Sequence, residues 1–455
     1  MRRQGKSIAG LLGGVLFLGV VGSMVFLYNS SLLERDMPQI TLDKEIEWNL
    51  HEPLHANVKD ASGLRFVKVS MSDGEKTVVL EEKVLKPLQG NVDLNISFPK
   101  VGFAPNKKVF ELSIEAVDGS KWNFLSGNQA IAKSIIKVDT KRPEVNIVAN
   151  SYRIMKGGAA SVIFRAYDEG MKALYIETSF GKKFYPTPFY KEGYYISLLA
   201  WPTQVNNFSA SIVAKDRAGN VTKTPISYFI QDRKYRLSTI NLQDKFLDGK
   251  IADMISEVAP AQSSLSRLEK FKYVNETMRM ENEAAIEKAT RAVPITRLDS
   301  FFMKPFYPLR NGQVVASFGD HRFYEYEKTP TSESYHLGLD LASNAQATMH
   351  TSNDGVVVYA RENGIYGNNI IIHHGLGVYS LYGHCSSYLV KEGDSVKAGD
   401  AIAKTGVTGL ALGDHLHFGM YVQGLDVRPE EWMDEVWLKE SIFSIIDAAK
   451  KTIDR

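Results

Sequence analysis

The sequence predicts a mainly β protein built in series: an N-terminal transmembrane helix, two tandem β-sandwich modules, a helical arm, and a C-terminal antiparallel β domain that carries the chemistry. Three observations predict it. Residues Ile8 to Leu27 run twenty in a row without a charge. Short segments of alternating polarity, broken by Gly, Asn, Asp and Pro, fill Met37 to Asp232 and return after Pro305, which is the spacing of half-buried strands. Between them, from about Leu237 to Val293, apolar residues switch to helical spacing. At 455 residues and 44% hydrophobic, the chain exceeds what one core fills and divides into three or four domains.

Residues 1–30 come first. About twenty apolar residues cross a ~30 Å hydrocarbon core as a helix. Arg2, Arg3 and Lys6 precede them, which predicts an N-terminus held in the cytoplasm and everything after Leu27 on the far side of the membrane. A cleaved secretory signal is the alternative. The apolar run exceeds the roughly 7–15 residues of a usual signal core, and Gly22-Ser23-Met24 is a poor cleavage site. A net charge of +2 with no long basic run excludes a nucleic-acid footprint. Cys385 is the only cysteine, so no intramolecular disulfide forms, and it reads as a small buried thiol rather than a nucleophile.

Two modules follow, at 37–141 and 142–233. LSIEAVDGSKWN ending in IIKVDTKRP, and ASIVAKDRAGNVT ending in ISYFIQDRK, make an internal repeat of roughly 95 residues, a length that suits two β-sandwiches. Asp216 to Asn220 closes a hairpin late in the second. The AKDRAGN string resembles bacterial immunoglobulin-like modules, which implies spacers or binding elements and leaves room for envelope protein partners.

Residues 234–300 form the arm. Ile251, Met254, Ile255 and Val258 precede Pro260. A second helix starts near Ser263 or Ser264 and runs through Leu268, Phe271, Val274, Met278 and Met280 toward Ala292, where Pro294 ends it. The plain expectation is a connector. Its Met and Phe stripe raises a sharper one, that the arm rests over a cleft and restrains it. The tail, 431–455, predicts an amphipathic helix with Trp437, Ile442, Ile445, Ile446 and Ala449 on one side.

Residues 301–430 hold the chemistry. Eight of the ten histidines fall between His321 and His417, and clustering of that degree asks for a site. Within it stand His336-Leu-Gly-Leu-Asp340, then Gly383-His384, then His415-Leu416-His417. A hydrolytic zinc needs about three N or O ligands and one open position. In a strand, His415 and His417 share a face while Leu416 points the other way. His336 and Asp340 would stand ~13 Å apart on a straight strand, and Gly338 permits the bend that closes this gap. His374 reads as structural, and His51, His55, His321, His350 and His373 lack a partner pattern.

Residues 314–429 resemble the lysostaphin-type (LytM) zinc metallopeptidase family. The matching blocks are Ser317-Phe318-Gly319 with Arg322, HLGLD, DGVV, Gly367-Asn368-Asn369 leading to IIIHHG, LYGH, VKEGDSVKAGDAIAKTGVTG and HLHF. The resemblance implies one Zn2+ held by His336, Asp340 and His417, with His384 and His415 as the catalytic histidines. It implies an antiparallel β fold with a groove and an endopeptidase that cuts peptide cross-links of peptidoglycan, here in the periplasm and anchored in the inner membrane. Manganese or cobalt would fit the same ligands in vitro. Relatives that lack the ligands act as regulators of wall amidases, and this is the rival reading. Asp414 before the H-x-H, Ala345-Gln346-Ala347-Thr348, Cys385 and Arg428 depart from the family pattern.

Overall fold

The computed structural model describes residues 8–28, 30 and 33–455. It divides into two compact units, Met1–Arg142 with Lys215–Val221, and Pro143–Ala214 with Thr222–Arg455. The first helix, Ile8–Tyr28, contains no charged residue. Its side chains are described at 12–26 and 28, and over the described residues no helix is long and apolar enough to cross a membrane. The flanking Arg2, Arg3 and Lys6 lie outside the described residues.

The first module differs from the two-sheet sandwich that its length suggested. All its strands join one six-stranded sheet. The reason lies in Leu54–Ser72 and Thr77–Ile96, strands of 19 and 20 residues whose pairing shifts register between Lys59 and Phe66. Such bulges bend a strand and raise its twist, so one hydrogen-bonded sheet curves over its own core of Val58, Val69, Leu94, Phe110, Leu112 and Ile136.

In the second unit, residues from Glu144 onward form two four-stranded sheets. The central strand Ala159–Tyr167 is buried on both faces along Ala159–Phe164, which is why it reads AASVIF rather than alternating. Its outer cover is the C-terminal helical stretch from Glu435 to Ile453. There the Ser441 carbonyl accepts from the hydroxyls of Ser151 at 2.7 Å and Ser161 at 2.6 Å.

The C-terminal domain is built on an eight-stranded sheet. Its order is Gln313–Ala316, Leu339–Ala342, Leu416–Val422, Val378–Gly383, Asn368–His373, Gly355–Glu362 and Ser395–Val396, with Leu425–Val427 added beside Leu416–Val422. The two middle strands are buried along their whole length, because the sheet is covered on both sides. Phe418, Met420 and Val422 pack into the core shared with the second module and the C-terminal helix. Tyr421, Leu381, Tyr379 and Ile371 face the arm, whose Leu247, Ile251, Met254, Ile255, Phe271, Val274, Met278 and Ile286 cover them. The arm is therefore a layer of this domain rather than a connector. A strand that helical spacing had hidden, Leu237–Asn241, precedes it and pairs in parallel with His321–Tyr326.

Candidate metal centre

Sheet register assembles the site. Asp340 stands directly opposite His417 across one strand pair, and Gly383 stands opposite His417 across the other, so His384 emerges beside it. His384 has φ +62°, a conformation uncommon for a residue with a Cβ and typical of side chains re-aimed at functional sites. His336 follows the strand Thr329–Tyr335. It is pinned by its own N–H donating to Asp320 and by the Gly319 N–H donating to its carbonyl, at 2.9 and 2.7 Å. Alternation along Leu416–Val422 puts His417 on the same side as Tyr421, so the site opens on the face that the arm covers.

Three donor atoms converge. The Nδ1–H of His336 donates to the Ser317 carbonyl at 2.9 Å, which leaves Nε2 as a bare lone pair. That Nε2 lies 2.9 Å from Asp340 Oδ1 and 3.1 Å from His417 Nδ1, and His417 Nδ1 lies 2.9 Å from the same oxygen. A tetrahedral zinc site with ligands at ~2.0–2.2 Å would space them roughly 3.4 Å apart, a few tenths wider. His417 Nε2 is buried against Gly338 without a hydrogen-bond partner. A strong interaction at Nδ1 would offset that cost. Two nitrogen lone pairs and a carboxylate aimed at one point fit a divalent cation, which satisfies all three at once.

Electrostatics keep the donors in the right form. Burial works against the charge on Asp340, yet His336 and His417 hold its carboxyl well below the ordinary range. Burial pushes His417 down to about 4. Burial, then His417 and His415, push His384 down to about 3. Both rings are neutral at pH 7, the form a ligand or a base requires.

His384 Nδ1–H donates to the Thr408 carbonyl and His415 Nδ1–H to that of Gly413, each at 2.8 Å. Each leaves Nε2 with a free lone pair. Their rings stand 4.8 Å apart, and His415 Nε2 lies 3.7 Å from Asp340 Oδ1.

These five residues line a cavity of about 720 Å³. The segment 234–300 supplies part of its wall through Arg236, Ser238 to Gln243, Phe246, Phe271 and Arg279. The arm's stripe named Phe271 and raised a place over the cleft, but nothing in one chain ties position 279 to position 336. His374 sits outside the cavity, with Nδ1 on the Asp354 carbonyl and Nε2 on the Ser380 hydroxyl. Cys385 is fully buried, and burial pushes its thiol up to about 12. Two of the departures from the family pattern meet: the Gln346 N–H donates to Asp414 at 3.0 Å.

Residues 334–429 match the family model described as Peptidase family M23. The chain is similar to the DD-carboxypeptidase/endopeptidase Mpg of Neisseria meningitidis serogroup B, 37% identical over 27% of this chain and 27% of that protein. It is similar to the peptidoglycan DD-endopeptidase ShyA of Vibrio cholerae, 40% identical over 26% of each. It is also similar to the murein hydrolase activator NlpD of Salmonella dublin, 38% identical over 28% of this chain and 30% of that protein. The match thus spans about a quarter of the length of the first two relatives.

Proposed function

We propose that this chain, whose C-terminal domain is of peptidase family M23, is a zinc-dependent endopeptidase that hydrolyses the peptide cross-links of peptidoglycan. The observation that carries this reading is the convergence of His336 Nε2, Asp340 Oδ1 and His417 Nδ1 on one point beside two histidines with free Nε2 lone pairs. Zinc, when bound, polarises a scissile carbonyl and lowers the pKa of a water toward about 7.

His415 Nε2 accepts the proton of the attacking water and hands it to the leaving amine. His384 stays neutral, so its Nε2 accepts a hydrogen bond and orients that water rather than donating to the oxyanion. The relatives named as DD-endopeptidases support the substrate class. Likeness to a hydrolase activator favours a second reading, a regulator that binds an amidase, and the complete donor set weighs against it.

The uncharged run at 8–27 behind Arg2, Arg3 and Lys6 in the sequence is the ground for proposing a single-pass inner-membrane anchor with the site in the periplasm.

The test is metal content together with muropeptide release from purified peptidoglycan, comparing the chain with His417→Ala. The expected outcome is about one zinc per chain and shortened cross-linked muropeptides for the parent, and neither for the variant. A parent that takes up no metal and cleaves nothing would hand the assignment to the regulator reading.

A further inference from the structure

The cavity at the metal centre is lined by three arginines, Arg236, Arg279 and Arg322, and three aspartates, Asp320, Asp340 and Asp414. The aspartates are all engaged. Asp320 accepts from the Ser238 hydroxyl at 2.7 Å and from Arg322 at 3.2 Å. Asp340 belongs to the donor triad, and Asp414 accepts from Gln346 and Thr405. Arg322 is thereby neutralised.

Arg279 is not. Its Nε donates to the Asn275 carbonyl at 3.2 Å and its Nη2 to the Asn275 side-chain oxygen at 3.0 Å, both uncharged acceptors. Its ion pair with Glu283 is loose, with Nη1 and Oε1 4.0 Å apart, beyond hydrogen-bond reach. The Arg279 side chain is only 17% exposed. A guanidinium cannot shed its proton, and a largely buried one whose hydrogen bonds go to uncharged acceptors, with its carboxylate at 4.0 Å, leaves room for a closer anion.

The placement is fixed toward the reacting end of the cavity. Asn275, 1% exposed, donates to the Ser332 hydroxyl at 2.9 Å and the Glu333 carbonyl at 3.2 Å, on the strand that delivers His336. Arg279 and Tyr366 line the same cavity, and the Tyr366 ring lies 5.3 Å from that of His417. Arg236, exposed, adds a second cation to the same cavity.

We propose that Arg279, carried by the helical arm and held by Asn275, binds a free carboxylate of the cross-link peptide, so that the substrate is an acidic peptide rather than an amidated or all-glycine one. This rests on the endopeptidase reading. Arg279 lies outside the matched residues 334–429, so it sets a preference of this chain and not of the domain alone.

The experiment uses the full-length chain and two cross-linked peptides of one sequence, one with a free carboxylate on the residue beside the scissile bond and one with a carboxamide there. A charge-assisted pair gives a preference of roughly tenfold or more in kcat/KM for the carboxylate. Arg279→Gln is expected to bring that ratio to about one, chiefly through KM, and Arg279→Lys to restore part of it. Equal cleavage of both peptides by the parent overturns the proposal, as does a ratio unchanged in Arg279→Gln.

If the zinc-loaded parent cleaves neither peptide, the endopeptidase reading fails by itself. Calorimetric binding of the two peptides then decides the role of Arg279. Roughly tenfold tighter binding of the carboxylate form, lost in Arg279→Gln, sustains it, and equal Kd values sink it.

Discussion

Gly338 shows what a single residue contributes that its neighbours cannot. A Cβ there would meet His417 Nε2 at 2.4 Å and the Phe418 carbonyl at 2.9 Å, so the ring of a metal donor packs on the bare Cα. Gly338→Ala is therefore expected to displace His417 and weaken zinc affinity by about 10–100-fold, read by competition with a chromophoric chelator. Affinity within twofold of the parent would show that the ring is not held this way. Spacing marked Gly338 only as a place to bend. The demand for room beside His417 arises from the pairing of Leu339–Ala342 with Leu416–Val422, which no local pattern encodes. The same holds for histidine roles. His374 and His384 are both driven to the neutral form by burial, and only their partners separate them: His374 spends both nitrogens on the fold, and His384 keeps one free.

At the level of elements, the arm tests how far helical spacing carries. Ile251, Met254, Ile255, Phe271, Val274 and Met278 are buried, as the stripe predicts, but Met280 is 66% exposed. Met280 lies two residues, about 200°, beyond Met278 and so on the opposite face of the helix, and the buried side continues at Ile286. The strand Leu237–Asn241 escaped helical spacing because five residues of mixed polarity take their register from the edge they join.

Phe271 ties these elements together. It is 1% exposed, packs edge-on at 5.1 Å against Tyr324 and lines the cavity wall. Phe271→Ala is expected to cost about 3–5 kcal/mol in denaturant unfolding, with no gain in hydrolysis. A rise in turnover at unchanged stability would mean that the arm is a removable cover, the restraining role its stripe first suggested, rather than a layer of the fold.

At the scale of the whole molecule, the mainly β character and the place of the peptidase domain at 334–429 were legible and the merging of the parts was not. Strand, helix and histidine patterns each name a face to be buried but not the face it meets. The doubly apolar run AASVIF was the one local hint, because a strand buried on both sides needs a cover from elsewhere in the chain. That cover is the C-terminal helical stretch, where Trp437, Ile442, Ile446 and Ala449 join Ile163, Phe164, Phe418 and Met420 in one core. Polar contacts follow the same seam. Glu431 accepts from the Ala159 N–H at 2.9 Å, and Gln423 pairs with the backbone of Tyr185 through both its side-chain oxygen and its side-chain nitrogen. A core shared this widely cannot be opened on one side alone, so the second unit, Pro143–Ala214 with Thr222–Arg455, is expected to unfold in one calorimetric transition. Zinc should raise its midpoint in proportion to the logarithm of free metal, including for probes placed in the second module. Ending the chain at Asp434 should remove that transition altogether rather than shorten it. A truncated chain that still binds zinc like the parent, or two transitions of which only one responds to zinc, would mean that the module and the peptidase domain stand independently.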